Sequence, residues 1–317
     1  MSSNTIHDLL DVCDEVAAAQ AAGQPVVALE SNVISNGLPH PQNLETVDRM
    51  EQEVRDAGAI PAVIAIDRGR LLVGLSTEQK QAFAERRLPK VGSRDIPAAL
   101  ASGTPAVTTV SASLAAAELA GVRFFASAGL GGVHRRAETT FDISSDLVQL
   151  TRSRVVAVTA GVKTILDIGL TLEFLETQCV PCVSFKFNEF PGFYVRNSGF
   201  RAPCRIDDLT ELARAIQIHD RLGHGGFLVT APTRPEDALD AETVEAAIAG
   251  ALDKAQAEGV QGKAVTNFVM RAVNAATGGL SDLANAAVLV SNARFAAELA
   301  VEHAALAARP PRERSAA

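Results

Sequence analysis

The stretch Val155-Val-Ala-Val-Thr-Ala-Gly-Val-Lys163, continued a few residues later by Leu170-Thr-Leu-Glu-Phe-Leu-Glu-Thr-Gln178, decides the fold class. Its first five residues form an apolar run that ends in threonine, which is typical of a strand buried on both faces. After a short turn, apolar residues recur with the spacing of a helix. The stretch therefore predicts a strand followed by a helix, the repeating unit of an α/β protein.

The same alternation extends in both directions along the chain. Further apolar runs predict buried strands at residues 25–29, 60–66, 106–110, 122–126, 180–185 and 226–229. Helical patterns lie between them, at residues 44–57, 77–86, 114–120, 142–152 and 209–222. We therefore predict a three-layer α/β/α fold with a largely parallel central sheet.

The last third of the chain is predicted to be helical, because residues 242–258, 263–276 and 281–307 show helical spacing without strand patterns. We find no repeat and no linker that would separate two domains. We therefore assign residues 1–24 to an N-terminal helical segment, 25–307 to a single α/β/α domain and 308–317 to a disordered tail.

Composition excludes several classes of protein. The 317 residues include 29 basic and 37 acidic side chains, a net charge of −8, whereas nonspecific nucleic-acid binding requires a basic surface. There is no tryptophan and only one tyrosine, so aromatic side chains for stacking on bases are scarce. No apolar run approaches the ~18 residues of a membrane span, and the acidic N-terminal region is unlike a secretory signal. We therefore expect a cytoplasmic protein that binds neither nucleic acid nor membrane.

The four cysteines are too few and too scattered for a disulfide framework. Cys179-Val-Pro-Cys182 has the spacing of a redox or metal motif, but it leads into a strand, whereas redox pairs usually open a helix. No second pair of ligands for zinc accompanies it. We interpret the two residues as packed thiols.

Two ionisable side chains follow predicted buried strands, where open α/β sheets bind their ligands. Glu30 ends the strand Val26-Val-Ala-Leu, and it is either a capping or salt-bridging residue or a general acid whose pKa is raised by apolar surroundings. Lys163 has apolar neighbours and is one of only six lysines. An amine removed from water is a nucleophile toward carbonyl groups, and the alternative is a lysine that extends its ammonium group to solvent.

Three other segments are candidates for binding a ligand. The segment Ser127-Ala-Gly-Leu-Gly-Gly-Val-His134 has three glycines that let backbone N–H groups approach an anion, although such glycines are often only conformational. Asp142 and Asp146 are four residues apart, so on one helix they would share a face that suits a divalent cation, whereas Asp142 alone could cap that helix. Lys90 lies in a loop and suits a phosphate or hydroxyl group.

At these segments the sequence resembles the pseudouridine-5′-phosphate glycosidase family, which includes a member known from an indigoidine gene cluster. The likeness extends from about residue 25 to residue 305. The blocks that carry it, in chain order, are Val27-Ala-Leu-Glu-Ser31, Gly37-Leu-Pro-His-Pro-Gln-Asn43, Gly129-Leu-Gly-Gly-Val-His134, Thr140-Phe-Asp-Ile-Ser-Ser-Asp146, Ala160-Gly-Val-Lys-Thr-Ile-Leu-Asp167 and Asn188-Glu-Phe-Pro-Gly-Phe-Tyr194.

The resemblance implies a homotrimeric α/β/α enzyme with one Mn²⁺ per subunit and a sugar-phosphate substrate. It implies reversible cleavage of the C–C glycosidic bond of pseudouridine 5′-phosphate to uracil and ribose 5-phosphate. In that reaction Lys163 would be the Schiff-base nucleophile, Glu30 the proton donor and Asp142 the metal ligand. The implied substrate-binding positions are Lys90, Val110, Gly131, Gly132, His134, Ser144, Ser145, Asp146 and Asn285.

The chain departs from the family pattern at Asn32, at Ser35-Asn36 and at Gly92, where the aglycone and the phosphate would be recognised. A second possibility is therefore the synthetic direction, in which ribose 5-phosphate is joined to an aromatic acceptor, as by the related enzyme of alnumycin biosynthesis. More distant alternatives are a lysine-dependent aldolase acting on sugar phosphates and a noncatalytic sugar-phosphate sensor.

Overall fold

The computed structural model describes residues 8–260 and 263–308, in which strands and helices alternate until the chain becomes helical near its C-terminal end. The strands are β1 (Leu10–Val12), β2 (Val26–Glu30), β3 (Ile60–Asp67), β4 (Arg70–Val73), β5 (Lys90–Val91), β6 (Ala106–Thr108), β7 (Phe124–Ala126), β8 (Val133–His134), β9 (Val156–Thr159), β10 (Leu166–Asp167), β11 (Cys182–Phe185), β12 (Cys204–Ile206) and β13 (Phe227–Thr230). The α-helices are α1 (Asp14–Ala21), α2 (Gln42–Asp56), α3 (Thr77–Ala84), α4 (Ile96–Ser102), α5 (Val110–Leu119), α6 (Ala137–Thr140), α7 (Ser145–Arg152), α8 (Ile168–Thr177), α9 (Leu209–Leu222), α10 (Ala241–Ala257), α11 (Lys263–Ala276) and α12 (Leu280–Ala308).

A mixed sheet forms the centre of the molecule. Among the described residues its strands lie in the order β1-β4-β3-β2-β7-β9-β13-β11-β12, and β6 pairs with β3 and with β5. From β3 to β12 all neighbouring strands are parallel, whereas β4 and β6 run antiparallel to β3. The largely parallel sheet predicted from the sequence is therefore confirmed.

Helices cover both faces of this sheet. α5 packs on β2, β3 and β7 and against α7, whereas α12 packs on β2, β7 and β9 and contacts α2 and α9. Every residue of β7 and β9 is accordingly buried, as expected for strands covered on both sides. This is the three-layer α/β/α arrangement expected from the sequence. None of the described helices is long and apolar enough to cross a membrane.

Most predicted elements are present, with ends shifted by a few residues, but the hairpin strand β4 was not predicted. β4 returns antiparallel to β3 through the two residues Arg68 and Gly69. Both have positive φ, +48° and +75°, which is the geometry of a tight two-residue hairpin turn. Arginine is uncommon in that conformation, so the sequence gives little indication of the turn.

The N-terminal segment is not entirely helical. Leu10–Val12 forms β1, which pairs in parallel with β4 at the sheet edge, and α1 follows it. The prediction of a helical segment over residues 1–24 is therefore wrong for this strand, which among the described residues pairs only with β4. Residues 1–7 lie outside the described residues. So does the predicted tail, except for Ala308, which ends α12.

The helix predicted at residues 142–152 begins three residues later. α7 starts at Ser145, and the Oγ atom of its N-cap, Ser144, accepts a hydrogen bond from Asp146 N–H. Asp142 precedes the helix, so the prediction that Asp142 and Asp146 share a helix face is wrong. Phe141, with φ of +55°, turns the chain just before this point.

The two paired cysteines differ in exposure. Cys182 is buried in β11, and burial raises its pKa to about 12, whereas Cys179 is exposed. A redox pair requires a thiol whose pKa is lowered. The interpretation as packed thiols is therefore confirmed for Cys182 and wrong for Cys179.

Gly161 fixes the path of the chain after β9. Its φ of +88° lies in the left-handed region, and a Cβ atom there would lie 2.0 Å from the carbonyl oxygen of Pro191. The Gly161 carbonyl accepts a hydrogen bond of 3.0 Å from Leu130 N–H, which joins this turn to the glycine-rich turn after β7. Two residues later the chain reaches Lys163, so this contact helps to position that lysine.

Gly161→Ala is expected to lower the free energy of unfolding by about 2–4 kcal/mol, because a close contact is added to an unfavourable φ. Urea denaturation followed by circular dichroism measures the change. The matched control is Gly250→Ala in α10, where a Cβ atom meets nothing within 4 Å and the change should be neutral or stabilising by up to ~1 kcal/mol. Equal effects of the two substitutions would contradict this account.

Candidate active site

The ends of three neighbouring parallel strands bring the two predicted catalytic residues to one edge of the sheet. Glu30 is the last residue of β2, Ser127 follows β7, and Lys163 lies in the loop after β9. Because β7 lies between β2 and β9, these three strand ends are adjacent. Ser127 Oγ donates a hydrogen bond of 2.6 Å to Glu30 Oε1. The sheet thus joins residues that are far apart in the sequence.

The surroundings of Glu30 favour its protonated form. Burial raises the pKa of the Glu30 carboxyl, while the positive charge of Lys163 and the hydrogen bond from Ser127 act in the opposite direction. Burial has the largest effect, so the carboxyl keeps its proton to a higher pH than an ordinary glutamate. This is the property required of a general acid near neutral pH.

Lys163 is held through the backbone on both of its sides. Its N–H donates to the Leu130 carbonyl at 3.1 Å, and its own carbonyl accepts from Leu166 N–H at 2.9 Å. The side chain passes close to Gly129, where a Cβ atom would lie 3.4 Å from Lys163 Cγ and 2.6 Å from the Phe193 ring. The glycine-rich turn therefore leaves space for the lysine side chain and for this aromatic ring.

Two adjoining cavities meet at the catalytic pair. The first has a volume of about 400 Å³ and the second about 330 Å³. Five described residues line both of them: Glu30, Asn32, Lys90, Lys163 and Thr266. A substrate with two parts could therefore occupy both cavities and place the bond between its parts beside Lys163 and Glu30.

The second cavity is rich in hydroxyl and charged groups, and it contains most of the predicted substrate-binding residues. We call it the polar cavity. Those of its lining residues that the sequence predicted are Lys90, Val110, Gly131, His134, Asp142, Ser144, Ser145 and Asp146. Gly132, also predicted to bind substrate, is absent from the described lining; a Cβ atom there would lie 2.5 Å from Thr171 Oγ1, so its smallness serves packing.

Asp146 has a structural role in the wall of the polar cavity. Its Oδ1 accepts a hydrogen bond from Ser111 N–H and its Oδ2 accepts one from Gly131 N–H, both of 2.9 Å. The buried carboxylate thus connects the start of α5, the glycine-rich turn and the start of α7. A Cβ atom on Gly131 would lie 2.6 Å from Oδ2, so the turn approaches this carboxylate too closely for any other residue.

Asp142 and His134 form the other wall of the polar cavity. His134 Nδ1 lies 3.9 Å from Asp142 Oδ2, and the two chain segments are joined by a 3.0 Å hydrogen bond from His134 N–H to the Asp142 carbonyl. Burial lowers the pKa of His134, and the carboxylate of Asp142 opposes this effect. Among the described residues, no three His, Cys, Asp or Glu side chains form a group that could enclose a metal ion.

The first cavity has a different lining, which combines apolar side chains and amides with two arginines. We call it the amide cavity. The residues that line it and not the polar cavity include Phe193, Tyr194, Met270, Asn274, Asp282, Asn285 and Leu289, together with Arg87 and Arg271. The predicted residue Asn285 therefore lies here, away from the hydroxyl groups of the polar cavity. The rings of Phe193 and Tyr194 are 4.2 Å apart, and burial raises the pKa of the Tyr194 hydroxyl.

Comparison with known proteins identifies the family of this chain. Residues 15–302 match the family described as "Indigoidine synthase A like protein". The protein belongs to this family. One relative, the pseudouridine-5′-phosphate glycosidase of Dickeya dadantii, is 52% identical over 299 residues, which cover 94% of this chain and 95% of the relative. Another relative, pseudouridine-5′-phosphate glycosidase 1 of Photorhabdus laumondii, is 54% identical over 289 residues, which cover 90% of this chain and 91% of the relative.

Two solved structures of similar proteins have the same fold. The prealnumycin C-glycosynthase AlnA, in complex with ribulose 5-phosphate, matches with a TM-score of 0.89 and 42% identity, covering 95% of this chain and 98% of its own. An indigoidine synthase A-like protein of Thermotoga maritima matches with a TM-score of 0.82 and 34% identity. The match covers 89% of this chain and 94% of the Thermotoga chain. The recognition of the family from its motifs and the predicted fold class are therefore confirmed.

Several site residues of this family member were not predicted. Ser127 begins the glycine-rich segment Ser127–His134, but its role was not predicted, because its hydrogen bond to Glu30 follows from the strand order, which the sequence does not give. Thr266, Met270 and Asn274 lie on α11, and Asp282 on α12. Their helices were predicted, but helical spacing does not indicate which helix closes a cavity.

The raised pKa of Glu30 predicts a pH-dependent effect of Glu30→Gln on stability. Above the ordinary pKa of glutamate the unfolded chain ionises while the folded protein disfavours the ionised form, so Glu30 costs stability as the pH rises. Glu30→Gln removes this cost. We therefore expect the variant to gain more stability over the parent at pH 8 than at pH 4 in urea denaturation.

The control for this experiment is Glu173→Gln, which removes a carboxyl group from an exposed helix surface. It should show no comparable rise in relative stability between the two pH values. A pH-independent difference between Glu30→Gln and the parent would show that Glu30 ionises normally in the folded protein.

Proposed function

We propose that the protein cleaves and forms the C–C bond between C1′ of ribose 5-phosphate and a planar aglycone, and that it converts pseudouridine 5′-phosphate and water to uracil and ribose 5-phosphate. The observation that carries the proposal is the position of Lys163 and Glu30 where the polar and amide cavities meet. The relatives named pseudouridine-5′-phosphate glycosidase support this choice of substrate.

A C–C glycosidic bond requires different chemistry from an ordinary glycoside. The leaving carbon has no lone pair that an acid could protonate, so the usual glycosidase reaction, which uses two carboxylates, cannot cleave this bond. An amine provides the alternative, because nitrogen can release its lone pair into a C=N bond. Lys163 and Lys90 both lie at the junction of the cavities. We assign the amine to Lys163, because its charge acts more strongly on Glu30 than the charge of Lys90 does.

The reaction proceeds in three steps. First, Lys163 Nζ bonds to C1′ while the C1′–O bond of the ribose ring breaks, and Glu30 gives its proton to the ring oxygen. Second, the nitrogen lone pair forms a C=N bond as the bond to the aglycone breaks. The bonding pair stays on the aglycone carbon, which takes a proton that Glu30 has accepted from the amine. Third, water adds to the C=N bond and releases ribose 5-phosphate and the lysine.

The two cavities divide the substrate between them. The hydroxyl groups of Ser144 and Ser145 and the charged side chain of Lys90 suit the sugar hydroxyls and the phosphate. The aromatic rings and amides of the amide cavity suit a planar heterocycle. This division places C1′ beside Lys163, at the boundary.

We also propose Mn²⁺ as the cofactor, one ion per subunit, with Asp142 as its protein ligand. The Asp142 carboxylate lines the polar cavity and is about one-third exposed, so one carboxylate can anchor an ion whose other ligands are water and substrate oxygens. When bound, such an ion would supply positive charge and orientation for the sugar phosphate. Asp146 is less suited, because both of its oxygens accept backbone hydrogen bonds.

The synthetic direction is a second candidate. The specific observation in its favour is the 42% identity to a C-glycosynthase whose fold matches with a TM-score of 0.89. Because the steps are reversible, the same residues would serve an aromatic acceptor in the amide cavity. Incubation with Mn²⁺, ribose 5-phosphate and either uracil or a set of aromatic acceptors, followed by mass spectrometry, distinguishes the two.

We further propose that the protein is a cytoplasmic homotrimer. In support, the Phe141 side chain is 85% exposed beside Asp142, and Leu170 and Phe200 are also exposed. Exposed apolar side chains of this size often mark a surface that another subunit covers.

Lys163 should form a covalent adduct with ribose 5-phosphate that borohydride reduction makes permanent. Peptide mapping by mass spectrometry should place the added mass on Lys163. Lys163→Arg keeps the charge but cannot form the C=N bond, so it should fold normally and lose at least about 10³-fold in turnover. A label on Lys90, or turnover by Lys163→Arg at a tenth of the parent rate, would contradict the mechanism.

Asp142→Ala should reduce turnover and abolish its dependence on Mn²⁺, because the ion loses its charged protein ligand. The matched comparison is Asp146→Asn, which weakens two backbone hydrogen bonds and should lower stability by about 1–3 kcal/mol while turnover keeps its dependence on Mn²⁺. Activity assays across a Mn²⁺ titration measure the Mn²⁺ dependence of turnover in both variants and in the parent. An unchanged Mn²⁺ affinity in Asp142→Ala would mean that the ion is held elsewhere.

A further inference from the structure

Asn32 is an unusual residue in the wall of the site. Its side-chain Oδ1 is buried and has no hydrogen-bond partner among the residues that the structure describes. An unpaired buried acceptor is costly, and native proteins contain few of them. Asn32 is also one of the residues shared by the two cavities, only two positions after Glu30. An unpaired polar atom at this place points to a group that the ligand supplies.

The backbone around Asn32 is firmly held, so the unpaired amide does not result from a loose loop. Ser31 Oγ accepts a 3.0 Å hydrogen bond from Thr108 N–H, and Ile34 N–H donates to the Ser31 carbonyl at 3.0 Å. Asn43 Nδ2 donates to the Ile34 carbonyl at 2.5 Å. The main chain on both sides of Asn32 is therefore fixed before any ligand binds.

The neighbouring polar residues of the same turn are used within the protein. Ser35 Oγ donates to the Arg86 carbonyl at 2.6 Å and accepts from Leu88 N–H at 2.7 Å. Asn36 Nδ2 donates to the Leu88 carbonyl at 3.1 Å. These bonds tie the turn to the loop that leads to Lys90. Asn32 differs, because no described protein group fixes which end of its carboxamide faces the ligand.

The turn that carries Asn32 belongs to the amide cavity. Val33, Ser35, Asn36, Gly37 and Leu38 all line that cavity, and none of them is in the described lining of the polar cavity. The polar cavity already has serine hydroxyls and charged groups for a sugar phosphate. The ligand part nearest Asn32 is therefore the aglycone, close to the bond that breaks.

We propose that Asn32 determines aglycone specificity by pairing its carboxamide with an amide edge of the ring. Oδ1 is buried in the free protein, so the carboxamide, which no described group holds, turns toward the cavity when the aglycone binds. Its Oδ1 then accepts from a ring N–H and its Nδ2 donates to the adjacent ring carbonyl, because a carboxamide and a cyclic amide carry complementary donors and acceptors. This inference rests on the proposed function, since it assumes that a planar aglycone occupies the amide cavity. The ligand class is a heterocycle with neighbouring C=O and N–H groups, of which uracil is one.

Asn32→Leu tests the inference, because leucine has a similar size and makes no hydrogen bonds. The assay is synthesis from ribose 5-phosphate with uracil, 1-methyluracil or 3-methyluracil, followed by liquid chromatography. The parent should use at least one methyluracil about 10–100-fold less efficiently than uracil, because methylation removes the N–H donor. Asn32→Leu should lose a similar factor with uracil and should use that methyluracil within about threefold of uracil.

Two further readouts separate recognition from a structural effect. The melting temperature of Asn32→Leu should equal or exceed that of the parent, because an unpaired buried acceptor is removed. Borohydride trapping of ribose 5-phosphate on Lys163 should be unchanged, because the serine hydroxyls and charged groups that we assign to the sugar phosphate are intact in this variant. Asn197→Leu is the matched control: it removes an asparagine hydrogen bond to Glu189 outside the described lining of both cavities, and it should keep the discrimination between uracil and the methyluracils. If leucine disturbs the turn, Asn32→Ala replaces it.

Retention of the parent's discrimination in Asn32→Leu would overturn the inference. Loss of ribose 5-phosphate trapping in Asn32→Leu would also overturn it, because Asn32 would then bind the sugar. A parent protein that traps no ribose 5-phosphate on Lys163 would instead refute the proposed function, and the specificity inference with it.

Discussion

The hydrogen bond from Ser127 to Glu30 connects the ends of two parallel strands, and the site depends on this connection. Its partners are separated by 97 positions in the sequence, and they meet because β2, β7 and β9 are neighbours in the sheet. The loop after β9 adds Lys163 beside them. A change in strand order would separate the acid from the amine. The chemistry that we propose is therefore a consequence of parallel strands that end at one edge.

The polar side chains around this edge divide into two groups. Asp146, Ser35 and Asn36 are engaged with backbone groups, and they hold the glycine-rich turn, the starts of α5 and α7 and the loop that leads to Lys90. Asn32 lacks such a bond at its Oδ1, and the Glu30 carboxyl is shifted toward its protonated form. The first group builds the cavities and the second is available to a ligand. Such pre-organisation lowers the cost of arranging groups during a reaction.

Much of the fold could be predicted from the sequence because its strands are continuous apolar runs between clear helical patterns. α9 and α11 have the predicted ends, and Lys163 and Glu30 follow the strands that were expected. The sequence did not reveal β4, since its turn uses an arginine with positive φ, nor β1, which depends on β4. It placed Asp142 on a helix that begins only at Ser145. The roles of Ser127 and α11 depend on strand order and helix placement, which are properties of the whole chain.

The central claim is that the catalytic pair lies between a site for the sugar phosphate and a site for the aglycone. A crystal structure of the protein after reaction with ribose 5-phosphate and borohydride tests it most directly. We expect electron density that continues from Lys163 Nζ into the polar cavity, with the phosphate near Ser144, Ser145 or Lys90. The amide cavity should stay open to an acceptor. A sugar phosphate attached at Lys163 but seated among Phe193, Met270 and Asn285 would contradict the account.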